Sequence, residues 1–203
     1  VNDKIDQIID RVQNDLDGET DENKRNDIVE AGKDDIDKIV DDANSKDEIG
    51  DELVNSDDDA LKLLGEAIKA GDEDKITIAL GLLKDEINSL SGQQLVDKLH
   101  AIAAEIRKAL ENSQIPEGDP LRDALKKLAD EFDKEADELQ KNLDKGQDTS
   151  DQTKDNLDKD IDEANKDIND SINQQNKNQA AGETAKDALD QMKDPTQNGQ
   201  NGN

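Results

Sequence analysis

The sequence has no cysteine, no tryptophan and no tyrosine. Without cysteine there are no disulfides and no thiolate metal centres. Phe132 is the single aromatic residue, so the aromatic anchors on which most interfaces and ligand pockets rely are missing. Binding must therefore use aliphatic faces or charge. Positive charge is scarce too: 26 Lys and Arg stand against 54 Asp and Glu, a formal net charge of −28. Phosphate contacts need clustered Lys and Arg, and the one notable cluster, Lys126-Lys127, is flanked by acids. Nucleic acid is thus excluded as a partner, and anionic membrane surfaces are disfavoured. No apolar run approaches the ~18–20 residues that cross a bilayer, so the chain does not read as an integral membrane protein.

What is present is aliphatic and unevenly dealt. Leu, Ile, Val and Phe number 43 of 203 residues, a fraction at which a strong net charge leaves disorder open. The distribution decides. Residues 57–111 hold 17 of the 43, whereas residues 147–203 hold only five. The middle of the chain is expected to fold by itself, and the last third to depend on a partner.

The chain is organised around residues 76–110. Ile76, Ala79, Leu80, Leu83, Ile87 and Leu90 recur at spacings of three and four and form one helical stripe. Ile78 and Leu82 add a second apolar face, and a helix apolar on two sides is expected between neighbours. Asp72 is its N-cap. Ser91 with Gln94 makes a capping box for the next helix, which carries Leu95, Leu99, Ile102, Ala103, Ile106 and Leu110. Upstream, residues 3–16 and about 21–43 read as amphipathic helices, with Gly18 ending the first and Gly32 a weak point in the second. Ser45 with Glu48 forms another capping box, and Ser56 caps a helix that Gly71 stops. Residues 112–120, NSQIPEGDP, are a loop, and Asp119-Pro120 restarts a long helix over about 120–145. Its residues Leu121, Leu125, Leu128, Phe132, Ala136, Leu139 and Leu143 form a seam suited to a bundle. Beyond Gly146 the composition shifts to Asp, Asn, Gln and Lys. Leu157, Ile161, Ala164, Ile168 and Ile172 keep helical spacing in a stripe one residue wide, a marginal helix that forms against a partner. A short last helix is placed around Ala185–Met192, and DPTQNGQNGN is expected to be disordered.

The expected fold is all-α: a multi-helix up-down bundle with a long helix at about 120–145 and a partly disordered C-terminal third. The expected divisions are 1–56, N-terminal helices packing on the core; 57–146, the helical core; and 147–203, a marginal helix and a disordered acidic tail. The likeness of IVDDAN (39–44) to DIDEAN (160–165) is too short to mark a repeat.

Candidate chemistry is sparse. His100 is the only histidine, and without a second His or a thiol it reads as a flanking surface residue. Carboxylate pairs such as Asp34-Asp35, Asp41-Asp42, Asp57-Asp58-Asp59 and Asp72-Glu73-Asp74 read as a solvated acidic face, because hydrolytic pairs need a cleft and shifted pKa values. Asp158, Asp160 and Asp162 copy the start of a calcium loop. However, Glu163 stands where the turn glycine belongs and Asn169 where the bidentate Glu belongs. No catalytic, cofactor-binding or metal-ligating residue is therefore assigned. The Asp excess, 38 against 16 Glu, does not follow from helix propensity. Asn169-Asp170-Ser171 is the single glycosylation sequon.

The expected function is that of a non-catalytic acidic helical protein, a structural or partner-binding module. Its partner is another protein or a second copy, met through amphipathic helices. The chain begins at Val1 without an initiator Met, so a trimmed secretory signal and a secreted location are expected. Two alternatives stand beside this. One is an amphipathic carrier of lipid or another hydrophobic ligand, using helices 3–16, 57–70 and 120–145. The other is an Asp-rich cation- or mineral-associated matrix protein.

Overall fold

The structure is a computed structural model and describes residues 1–193. Those residues form eight helices: α1 (Asn2–Leu16), α2 (Glu22–Asp42), α3 (Lys46–Val54), α4 (Asp59–Ala70), α5 (Glu73–Asn88), α6 (Gly92–Asn112), α7 (Pro120–Leu143) and α8 (Ser150–Met192). There is no strand among the described residues. The disorder expected for DPTQNGQNGN falls on residues 194–203, outside the described residues. The chain divides into two compact units. Among the described residues, unit 1 comprises Val1–Asn44 with residues 174–193, and unit 2 is Ser45–Asn173.

Unit 1 packs α1, α2 and the C-terminal part of α8. Ile5, Ile8, Val12 and Leu16 of α1 meet Val29 and Ile36 of α2 and Ala185 and Leu189 of α8 in one buried cluster. Asp21 caps α2, accepting from the amides of Asn23 at 2.9 Å and Lys24 at 3.3 Å, which satisfies two orphan donors of the first turn. Gly32 is not a weak point but a contact. A Cβ there would lie 2.5 Å from Val12 Cγ2 and 3.1 Å from Leu189 Cδ1. Gly182 plays the same part on α8, where a Cβ would meet Val40 Cγ2 at 2.7 Å.

Unit 2 holds the larger core, running from Ile49 and Leu53 of α3 to Ile168 and Ile172 of α8. The helix that the sequence places with the N-terminal segment, α3, shares this core. It approaches α4 closely because Gly50 and Gly65 face each other. Asp72 and Asp119 cap α5 and α7, each accepting from the amide three residues on, at 3.1 and 3.0 Å. Pro120 opens α7, where its missing N–H costs nothing. Phe132 is fully buried.

Three cap readings are corrected. Neither Ser45 nor Ser91 makes a side-chain cap bond. Ser45 Oγ instead donates to Asp119 Oδ1 at 2.9 Å, and Gly92 N donates to Ser150 Oγ at 2.7 Å. Ser45 and the backbone beside Ser91 thus bond to segments distant in sequence, which a local motif does not reveal. The cap of α4 is Asp58, accepting from Leu61 N at 2.9 Å, while Ser56 Oγ accepts from Asp58 N at 3.0 Å.

Within residues 150–192 the sequence reading has a helix along Leu157–Ile172 and a short one around Ala185–Met192, and the structure joins the two. They form a helix of 43 residues, longer than α7 with 24. Leu157, Ile161, Ala164, Ile168 and Ile172 are buried against unit 2. The narrow stripe suffices because its flanks are also engaged. Lys84 Nζ of α5 reaches Asp162 at 2.6 Å and Lys127 Nζ of α7 reaches Glu163 at 2.7 Å. The partner the stripe requires is the chain's own α5 and α7.

The same packing buries a carboxyl. Glu135 of α7 is 4% exposed and accepts a hydrogen bond from Asn156 Nδ2 at 3.0 Å. Burial pushes its pKa above the ordinary 4.5, against that hydrogen bond, with Glu138 adding to the rise. A raised carboxyl favours the fold below its unfolded pKa and loses that contribution as pH rises through the folded value. Glu135→Gln keeps the acceptor and removes the charge. It is expected to stabilise the protein at neutral pH by on the order of 1 kcal/mol, about 2–4 °C in Tm. The gain should shrink to nothing in melts below the carboxylate range.

Candidate functional site

The chemical candidates resolve into structural contacts. His100 Nδ1 lies 2.7 Å from Asp133 Oδ1 and its Nε2 lies 3.6 Å from Asp137 Oδ1. Arg107 ion-pairs with the same Asp133 and with Asp130, the latter at 2.8 Å. Burial opposes ionisation of Asp133, but hydrogen bonds from Arg107 and His100 outweigh it and hold its carboxyl below the usual range. The cluster ties α6 to α7. Its pattern was open to reading in the sequence: His100 and Arg107 are seven residues apart on one helix, as are Asp130 and Asp137 on the other, so each pair shares a face.

The calcium-like triplet lies inside α8, where a helix cannot wrap an ion as a loop does. Asp158 and Asp162, one turn apart, both approach Lys84, at 4.0 and 2.6 Å. Asp160 sits apart from them. Burial raises its pKa, and Glu131 adds to the rise. Among the described residues no group of three or more His, Asp or Glu is placed to hold a metal ion. The sequon asparagine, Asn169, is half-buried in the same helix. Its Nδ2, the atom a glycan would take, donates to Asn165 Oδ1 at 3.1 Å and Thr77 Oγ1 at 3.4 Å.

Hollows are few. One of about 430 Å³ lies in unit 1 beside the turn after α1, with Arg25 and Met192 in its wall. The Arg25 guanidinium there is already engaged with four backbone carbonyls.

The outer face of α4 and α5 in unit 2 is different. The sequence reading places Ile78 and Leu82 between neighbours, yet they are 63% and 44% exposed, and Leu63 of α4 is 43% exposed. These three are the exposed large apolar side chains among the described residues. They gather on one face. Leu63, Glu66 and Ala67 of α4 and Lys75, Ile78 and Ala79 of α5 line a groove of about 220 Å³. Leu82 follows Ile78 by one helical turn. The second stripe of α5 is therefore left exposed among the described residues, because α5 packs on α4 and α8 through its other side. Gly81, between the two, has nothing within 4 Å of a built Cβ.

No helix of the described residues is long and apolar enough to cross a membrane. No family model matches the chain, and searches of curated proteins and of solved structures return no match.

Proposed function

We propose that this protein is a non-catalytic helical module that works by binding a partner protein through the outer face of α4 and α5. The supporting observation is that exposed Leu63 and Ile78 line one groove, with exposed Leu82 one helical turn beyond Ile78, on an otherwise strongly charged chain. Clustered apolar surface costs solubility, and where it is retained it marks an interaction site. The short turns joining α4 to α5 and α5 to α6 suit an up-down arrangement of unit 2, which presents this pair as a flat face. The carrier reading is less well supported. The apolar stripes of 3–16, 57–70 and 120–145 lie mostly in the two cores, so lipid would have to displace that packing.

Nile red, a neutral probe of apolar surface, tests the reading. Its fluorescence is expected to rise with the folded protein and to fall to near background with the double variant Ile78→Ser/Leu82→Ser, while helicity by circular dichroism stays unchanged. Equal dye binding by the variant would refute the face. Robust hydrolase turnover abolished by changing one carboxylate pair would refute the non-catalytic assignment.

A further inference from the structure

We infer that the occupant of the α4–α5 groove is a basic amphipathic helix of a partner protein, a conclusion that rests on the binding-module reading above. The rim of the face gives the sign of the charge. Along α5, exposed Asp74 stands one turn before Ile78, and exposed Asp85 three residues after Leu82. Along α4, exposed Glu66 stands three residues after Leu63, and Asp59 one turn before it. Helical spacing therefore brackets the apolar side chains with carboxylates at both ends. The two lysines nearby do not offset them freely: Lys62 is held by Asp59 at 3.2 Å and Lys75 by Asp72 at 2.9 Å. An incoming helix with aliphatic residues at spacings of three and four would seat them on Leu63, Ile78 and Leu82. Its Lys or Arg flanks would then meet Glu66, Asp74 and Asp85.

Charge also separates the competing occupants. Two copies of this chain each carry −28, and joining them by this face would bring like rims together. An anionic lipid surface meets the same repulsion. A groove between two neighbouring helices joined by a short turn accepts a third helix by side-chain interdigitation, the helix-in-groove mode. With no aromatic residue on the face, affinity comes from aliphatic contact and steering from the rim, so binding should be of moderate strength and sensitive to salt.

The chain lacks tryptophan, so one Trp in a peptide reports binding without background. The probe is an amphipathic Leu/Lys peptide of about 16 residues, long enough to span α4, titrated into the full chain at about 0.15 M salt. Saturable 1:1 binding is expected. A peptide of the same composition with scrambled apolar spacing should bind at least about tenfold more weakly, as should the wild-type peptide to Ile78→Ser/Leu82→Ser. A second variant, Glu66→Gln/Asp74→Asn/Asp85→Asn, leaves the apolar residues in place. It should weaken binding several-fold and flatten its salt dependence.

Equal affinity for the scrambled peptide, or for the serine variant, would overturn the proposal by reducing it to diffuse charge attraction. So would equal affinity for an uncharged amphipathic peptide. Dimerisation in sedimentation that the serine variant abolishes would assign the face to a second copy instead. If Nile red binds the face and the peptide does not, the occupant is wrong and the module reading stands. If neither binds, both fall.

Discussion

Gly65→Ala is expected to destabilise unit 2 by about 3–5 kcal/mol, at the top of the range for single substitutions. The physical cause is backbone contact. A Cβ at Gly65 would stand 2.7 Å from Gly50 O, 2.7 Å from Val54 N and 2.8 Å from Leu53 Cβ. A flexible side chain could swing aside, but atoms of the α3 backbone can give way only if the helix moves. Moving α3 off α4 pulls Ile49 and Leu53, both fully buried, away from Leu61, Leu64 and Ile68. Gly50 is the reciprocal half of the contact, where a Cβ would lie 2.8 Å from Gly65 O. Alanine is otherwise the better helix former by about 1 kcal/mol, so propensity alone gives the opposite sign. Gly81→Ala is the internal control: with open space around it, the same substitution is expected to stabilise by about 0.5–1 kcal/mol. Urea unfolding followed by circular dichroism checks both signs. Gly65→Ala melting like the wild type would show that α3 and α4 are not in backbone contact.

Arg25→Met carries the second-largest effect, a loss of about 2–4 kcal/mol located in unit 1. Arg25 is 7% exposed and its guanidinium donates to four carbonyls: Leu16 at 3.1 Å, Glu19 at 2.9 Å, Met192 at 2.8 Å and Lys193 at 3.3 Å. Leu16 and Met192 end α1 and α8, where the last carbonyls have no helical partner and carry the negative end of the helix dipole. Neither helix has a basic residue in its own last turn. One side chain from the start of α2 thus closes both ends. Methionine matches the alkyl stem but donates nothing, so Leu16 O keeps only its bond from Glu19 N at 3.2 Å and the other three carbonyls lose the guanidinium. Arg25→Lys should recover less than half, since an ammonium cannot spread donors over four acceptors in a plane. Amide exchange at the ends of α1 and α8 should rise in both variants. Unchanged protection there, with normal melting, would show the bonds to be dispensable.

Much of the helical layout was legible in the sequence. The stripe on residues 76–90, the caps Asp72 and Asp119, and the stops at Gly18, Gly71 and Gly146 are set by residues within one or two turns of one another, and local spacing records them. The exposure of Ile78 and Leu82 is not legible there. Ile78 and Leu82 look like core in a list of apolar positions, because periodicity says that a stripe exists and not whether a neighbour covers it. Arg25 carries no local signal for a related reason. Its four acceptors are contributed by segments from residue 16 to residue 193, and no motif spans that distance.

By itself the sequence determined an all-helical, strongly acidic chain and the positions at which most helices begin and end, because spacing, capping and charge act over a few residues. Tertiary structure alone decided which stripes meet. It set Gly50 against Gly65, seated residues 150–173 on α5 and α7, drew Ser45 away from its own helix to Asp119, and left Leu63, Ile78 and Leu82 open to solvent. Each of these depends on the shape and charge of a surface built from remote parts of the chain, and such a surface exists only once the helices are packed.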